Sequence, residues 1–161
     1  MIEKEILEKK EIRENMVNRI EVLEKVKELL LLGNSQFATT QQVADYYEVE
    51  ENTLQQLIKR NREELEGNGF RLYKKNEILN VLHVQLEKEL PNRGMNLFSK
   101  RAILNVGMLL EDSQVAKEVR SRLLDVEYES NNSIQDNGQT LKQNIVNEIR
   151  TEQDIAKELL N

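Results

Sequence analysis

Cysteine and tryptophan are absent from this 161-residue sequence, which has a single histidine. Without cysteine there are no disulfides, thiolate zinc sites or thiol nucleophiles, and nothing argues for an oxidising compartment. No apolar run approaches the roughly 20 residues needed to span a bilayer. The amino terminus MIEKEILEKKEIRENM is charged throughout and has no apolar h-region. A cytoplasmic protein with no membrane partner is expected. His83 lies amid VLHVQL and reads as a packed or partly exposed side chain rather than a general base. The carboxylate pairs Glu63-Glu64 and Glu87 with Glu89 read as solvated helix faces. No glycine-rich phosphate loop occurs, because the GNG at 67–69 precedes a strand rather than opening a helix. Together these absences predict a protein that is not an enzyme and uses no cofactor or metal.

What the sequence has is charge on an aliphatic background: 32% of residues are charged and 4% aromatic. That palette predicts a mainly α (α+β) protein with modest cores. The net charge is −6, but it is unevenly spread. Residues 51–76 carry six positive and four negative charges, and residues 93–122 carry six and three. The segment from Asp125 to Asn161 carries three positive and eight negative charges. The acidity therefore lies mostly outside the segments able to form a basic face.

Four regions follow from the hydrophobic pattern. Residues 3–32 contain no glycine or proline and place Ile12, Met16, Ile20, Leu23, Val26 and Leu30 at spacings of three and four, which predicts one long helix ending at Gly33-Asn34. Such a helix would outrun a small domain, so within region 1–34 its first half is expected to project or to pair with a second chain. Region 35–128 begins with the linker GNSQFA. Thr39 or Thr40 then caps a short helix through Tyr46. A turn containing Val49 leads to a second helix from Glu51 to about Leu65. Val43, Ala44, Tyr47, Val49, Leu54, Leu57 and Ile58 are the expected buried positions, with Ala44 at the crossing: the spacing of a helix-turn-helix.

EGNGFRLYKK reads as a turn and a short strand, with Phe70 and Leu72 on one face and Arg71 and Tyr73 on the other. NEILNVLHVQLEKEL reads as a short helix or a loop-helix insert. PNRGMNLF supplies a second strand that would pair with Phe70–Lys74 as a short β-hairpin wing. Ser99 caps a helix, and Asp112-Ser113 caps another whose Val115, Val119 and Leu123 form a buried stripe. Region 129–139 is polar and Asn-rich and reads as a linker. Region 140–161 repeats Leu141, Ile145, Ile149, Ala156 and Leu160 as a last amphipathic helix that needs a partner surface.

On the helix-turn-helix reading, Asn52, Thr53, Gln55, Gln56, Lys59, Arg60 and Arg62 are the outward or flanking positions of the second helix. Asn and Gln can read adenine edges, and Arg or Lys can read guanine or hold phosphate. Thr39, Thr40 and Gln41 would offer hydroxyl, amide and backbone donors to a phosphate. Arg71, Lys74 and Lys75 would reach an adjacent backbone or minor groove. Arg93, Lys100 and Arg101 extend the patch, while Arg120 and Arg122 are equally well read as merely exposed. Taken singly, each of these lysines and arginines is ordinary surface charge; their clustering beside the motif is what points to DNA.

QVADYYEVEENTLQQLIKRNREELEGNGFRLYKKNEI is similar to the N-terminal DNA-binding module of phage antirepressor and KilA-type proteins. The similarity rests on Val43-Ala44, Tyr47, Val49, Lys59-Arg60-Asn61 and Gly69-Phe70 with Leu72. LFSKRAILNVGMLLEDSQVAKEVRSRLLDVE resembles the helical continuation of phage and prophage regulators, so the likeness runs over about residues 37–128. It implies a small α+β domain binding double-stranded DNA, and a role in phage or mobile-element regulation. The expected function is a sequence-specific transcriptional regulator acting as a homodimer. The alternative is a protein-binding adaptor or antirepressor that captures another regulatory protein.

Overall fold

The structure, a computed structural model, describes residues 3–33, 35–81 and 91–139, with side chains for all of these except 80, 81 and 130–139. It is mainly helical around a small three-stranded antiparallel sheet. Packing divides the chain into two units, 1–123 and 124–161. The expected C-terminal helix over 140–161 and His83 lie outside the described residues.

The segment expected to form one helix over 3–32 is instead α1 (Glu3–Glu8), α2 (Lys10–Met16) and α3 (Glu21–Val26), followed by non-helical chain. Side chains acting from a distance account for two of the breaks. Lys9 is extended, which leaves the Ile6 and Leu7 carbonyls without helical partners, and Arg13 Nη1 donates to both at 3.0 and 2.9 Å. At the end of α3 the Leu23 carbonyl accepts from the Tyr46 hydroxyl, while Lys27 N–H reaches it only at 3.4 Å. Nor does its first half stand clear of the unit: Ile6, Arg13 and Met16 are buried, as are Val17, Val22 and Leu23, and only Leu30 of the expected stripe stands 64% exposed.

The expected linker before the first capped helix contains β1 (Phe37–Thr39). It leads directly into α4 (Thr40–Tyr47), where Thr39 Oγ1 accepts from Gln42 N–H and Gln42 Oε1 accepts from Thr39 N–H, a reciprocal capping box. Glu48 takes the left-handed conformation at the turn (φ 56°), and α5 (Glu51–Arg60) follows. The second helix does not run through to Leu65. Asn61 interrupts it because its amide side chain donates to the Leu57 carbonyl, competing with the helical ladder, and α6 (Arg62–Gly67) restarts the chain. Val43, Ala44, Tyr47, Leu54, Leu57 and Ile58 are buried as expected; Val49 is only half-buried, and Tyr46 is buried as well.

β2 (Arg71–Tyr73) and β3 (Met95–Ser99) pair antiparallel, with Leu72 opposite Asn96 and Tyr73 opposite Met95. β1 adds on the other side of β3, with Ala38 opposite Phe98. Side chains alternate across the sheet. On one face Leu97 and Tyr73 are buried with Leu32 and Ile78, and Phe37 and Met95 pack against them. On the other face Phe98 meets Phe70 at 4.6 Å between centroids. Leu72 shares this second face but is 47% exposed. Gly69, at φ 111°, makes the turn into β2, and a Cβ there would overlap Ser99. A π-helical turn, Glu77–Val81, opens the insert that follows β2.

After β3 come α7 (Lys100–Leu109) and α8 (Gln114–Gln139). Ser99 Oγ accepts from Ala102 N–H, and Ser113 Oγ accepts from Ala116 N–H, so both expected caps are present. Val115, Val119 and Leu123 are buried. Residues 129–139 are not a linker but the continuation of α8. Asn, Ser and Gln weaken a helix by only a few tenths of a kcal/mol each, and a helix already nucleated by its packed first turns propagates through them. The order of strand, hydroxyl cap, helix, turn, helix thus occurs twice, in β1–α4–α5 and β3–α7–α8, with the two strands paired antiparallel.

Candidate nucleic-acid interface

At about 100° per residue, the buried Leu54, Leu57 and Ile58 define the inner side of α5, and Asn52, Gln56 and Lys59 stand opposite them. Gln55 flanks this stripe on one side, Thr53 and Arg60 on the other. All six are exposed. Among the described residues neither Lys59 nor Arg60 has an ion-pair partner. Their place in the last turn is one a helix C-terminus favours in any protein. The amides ahead of them on the same stripe are what make the face chemically specific, since Asn52, Gln55 and Gln56 each carry a donor and an acceptor side by side.

Beside α5 lies an open groove of about 610 Å³. Thr39, Thr40 and Gln41 line it from the β1–α4 junction, Glu51 and Arg62 from the helices, and Leu72, Arg93 and Asn96 from the hairpin. The structure thus places Thr39, Thr40, Gln41 and Arg62 along one groove. The Thr39 hydroxyl, however, already serves the α4 cap, and the Gln41 amide donates to Asp45 at 2.7 Å.

Other expected contacts are engaged within the chain. Arg62 pairs with Glu66 at 3.1 Å and lies over the Phe70 ring. Arg71 stacks on Tyr73 at 3.7 Å and pairs with Glu77 at 3.4 Å. The Lys74 backbone N–H donates to Glu77, whose carboxyl is held below its ordinary range, first by that bond and then by Arg71. Arg101 donates to Asn68 Oδ1 and lines a separate depression with Lys10, Glu14, Glu63 and Glu64. Lys100, beside it, is half-buried, and Lys74 and Lys75 lie beyond β2. Exposed pairs of this kind contribute about 0–1 kcal/mol, so Arg62 and Arg71 can exchange their partners for a phosphate.

Arg120 and Glu64 depart from the sequence reading, and Arg13, on which the sequence offered no reading, joins them. Arg120 is 2% exposed. Its Nη1 donates to the Gly107 and Leu110 carbonyls at the end of α7, and its Nε donates to Glu3 at 2.7 Å. Glu64, expected on a solvated face, accepts from Arg13 Nε at 2.7 Å, Arg13 Nη2 at 2.9 Å and Asn105 Nδ2 at 2.8 Å. The Arg13–Glu64 and Arg120–Glu3 partners are 51 and 117 residues apart in sequence, so no local pattern could have found them. They remove two cations from the supply available to a ligand.

Among the described residues there is no group of histidine, cysteine, aspartate or glutamate that could hold a metal, and no helix long and apolar enough to cross a membrane. Comparisons with protein-family models, with curated proteins and with solved structures return no match.

Proposed function

We propose that this chain is a non-enzymatic, sequence-specific DNA-binding regulator of the phage or mobile-element type, acting as a homodimer. In this reading α4 and α5 form a helix-turn-helix, α5 is the recognition helix and β2–β3 is a wing. One observation carries it: the exposed stripe of α5 is composed of amides followed by two cations that have no ion-pair partner among the described residues, mounted on a fully buried inner face. Amides at the start would read base edges and the basic end would hold phosphate. A single motif covers too little surface for high specificity, which is why two copies on a two-fold site are proposed.

The test is a genomic-fragment pull-down with purified protein at near-physiological salt. Enrichment of a narrow set of fragments supports this reading, and a flat profile refutes it. A second reading, an adaptor that captures another regulatory protein, is favoured by the exposed Glu50 and Glu51 at the entrance to α5, next to Glu48, which pairs with Lys27 at 3.0 Å. The carboxylates of Glu50 and Glu51 would repel a DNA backbone and suit a basic protein surface.

A further inference from the structure

We infer that the groove between α5 and the β2–β3 hairpin seats one phosphodiester strand of the duplex, with Arg62 and Arg93 holding phosphate and Leu72 meeting a sugar or a thymine methyl. This rests on the DNA-binding reading and assigns it a second contact surface. The argument begins with Leu72, a β-strand leucine left 47% exposed on the same sheet face as the fully buried Phe98. Its cross-strand neighbour Asn96 is exposed too, so the hairpin presents an apolar and an amide side chain together toward the groove.

Charge complementarity selects the occupant. Arg62 approaches from the helical wall and Arg93 from the hairpin. Arg93 is exposed and has no ion-pair partner among the described residues, while the Arg62–Glu66 pair is a surface pair that a phosphate can displace. Glu51 lines the groove as well, and its carboxylate opposes a phosphate there, so the two arginines must outweigh it. A strand lying there would run beside the stripe of Asn52, Gln56 and Lys59, so one duplex could engage both surfaces.

The test compares Arg93→Ala, Leu72→Ser and the double variant Lys59→Ala/Arg60→Ala on the enriched duplex and on random duplex, over a range of salt. Both groove positions are exposed, so thermal melting should be unchanged. Arg93→Ala is expected to weaken binding to every sequence and to reduce the slope of log K against log salt by about 0.9. Leu72→Ser is expected to weaken binding about three- to tenfold with the slope intact. If both groove variants bind as the parent does while the Lys59/Arg60 variant is weakened, the groove is not the seat and the recognition-helix reading stands. If the parent protein binds no duplex at all, the reading falls and this inference falls with it.

Discussion

Removing the Arg13 guanidinium tests whether the first sixteen residues belong to the domain core or form an appendage. Arg13 and Glu64 have side chains 9% and 10% exposed and are joined by two hydrogen bonds. Arg13→Ala leaves Glu64 with Asn105 as its remaining side-chain donor and leaves the Ile6 and Leu7 carbonyls without theirs. Breaking one half of a buried ion pair costs about 3–5 kcal/mol. The lower end applies here, because the stranded carboxyl can take a proton. At ~4 °C per kcal/mol for a unit of this size, the melting midpoint should fall by roughly 12 °C.

The same pair sets an acid dependence. Burial alone would raise the Glu64 carboxyl, but the bonds from Arg13 and Asn105 outweigh it and hold the group below its ordinary value of 4.5. A folded value below the unfolded one means that the ionised pair stabilises the protein above pH 4.5, and that this stability is lost as pH falls through the folded value. In Arg13→Ala burial acts with much less opposition, so the gap between parent and variant should narrow in acid. Urea melts of both proteins, at neutral pH and at about pH 4, give the two differences directly. A loss below about 1 kcal/mol at neutral pH, or no coupling in a cycle with Glu64→Gln, would show that the ion pair is not structural.

Deleting residues 1–16 should, for the same reason, unfold the 1–123 unit rather than merely weaken a dimer; a cooperative melt in the truncated chain would refute this. Ala44→Leu should overpack the α4–α5 crossing by about 1–3 kcal/mol and lower DNA binding and melting temperature together; an unchanged melting temperature would contradict the buried position of Ala44. Lys59→Ala/Arg60→Ala should weaken binding to all sequences and flatten the salt dependence by about 0.9 for each phosphate no longer neutralised, whereas Gln55→Ala or Gln56→Ala should lower preferred-site binding by about 1–3 kcal/mol at constant slope. Tyr47 is held neutral by burial, then by Tyr46, which raises its hydroxyl well above the ordinary value of 10.0. Stability is thus fully present below pH 10 and lost as pH rises toward the folded value; Tyr47→Phe, which removes the bond to the Ile103 carbonyl, should lose part of that alkaline dependence in pH-jump melts.

What could be read from the sequence is what neighbouring residues decide among themselves. Thr39, Ser99 and Ser113 each stand just before a helix, and their caps close within three residues. The buried sets on α4, α5 and α8 follow from the same short range. The single helix expected over 3–32 failed because its periodicity records only which residues are apolar. Whether the backbone breaks depends on Arg13 and Tyr46 taking carbonyls that a straight helix would use. Composition misled in the opposite direction at 129–139, where Asn and Ser suggested a linker although the helix was already nucleated upstream.

The same distinction bears on how the proposed site would work. A count along residues 51–76 gives six cations, of which Arg62 and Arg71 hold surface partners that a phosphate can displace and Lys75 makes a further interaction within the protein. Lys59 and Arg60 on α5 and Lys74 beyond β2 have no ion-pair partner among the described residues, and Arg93 joins them from a different part of the chain. About four phosphates neutralised per copy, by Lys59, Arg60, Arg62 and Arg93, correspond to a salt slope of about −4. One copy bound in this way would rely on few contacts at physiological salt, and its few amides would discriminate weakly among sequences. Two copies on a two-fold site double both the slope and the number of bases read. The proposed homodimer would strengthen both terms, and a measured slope near about −4 for the functional complex would argue for a single copy and against it.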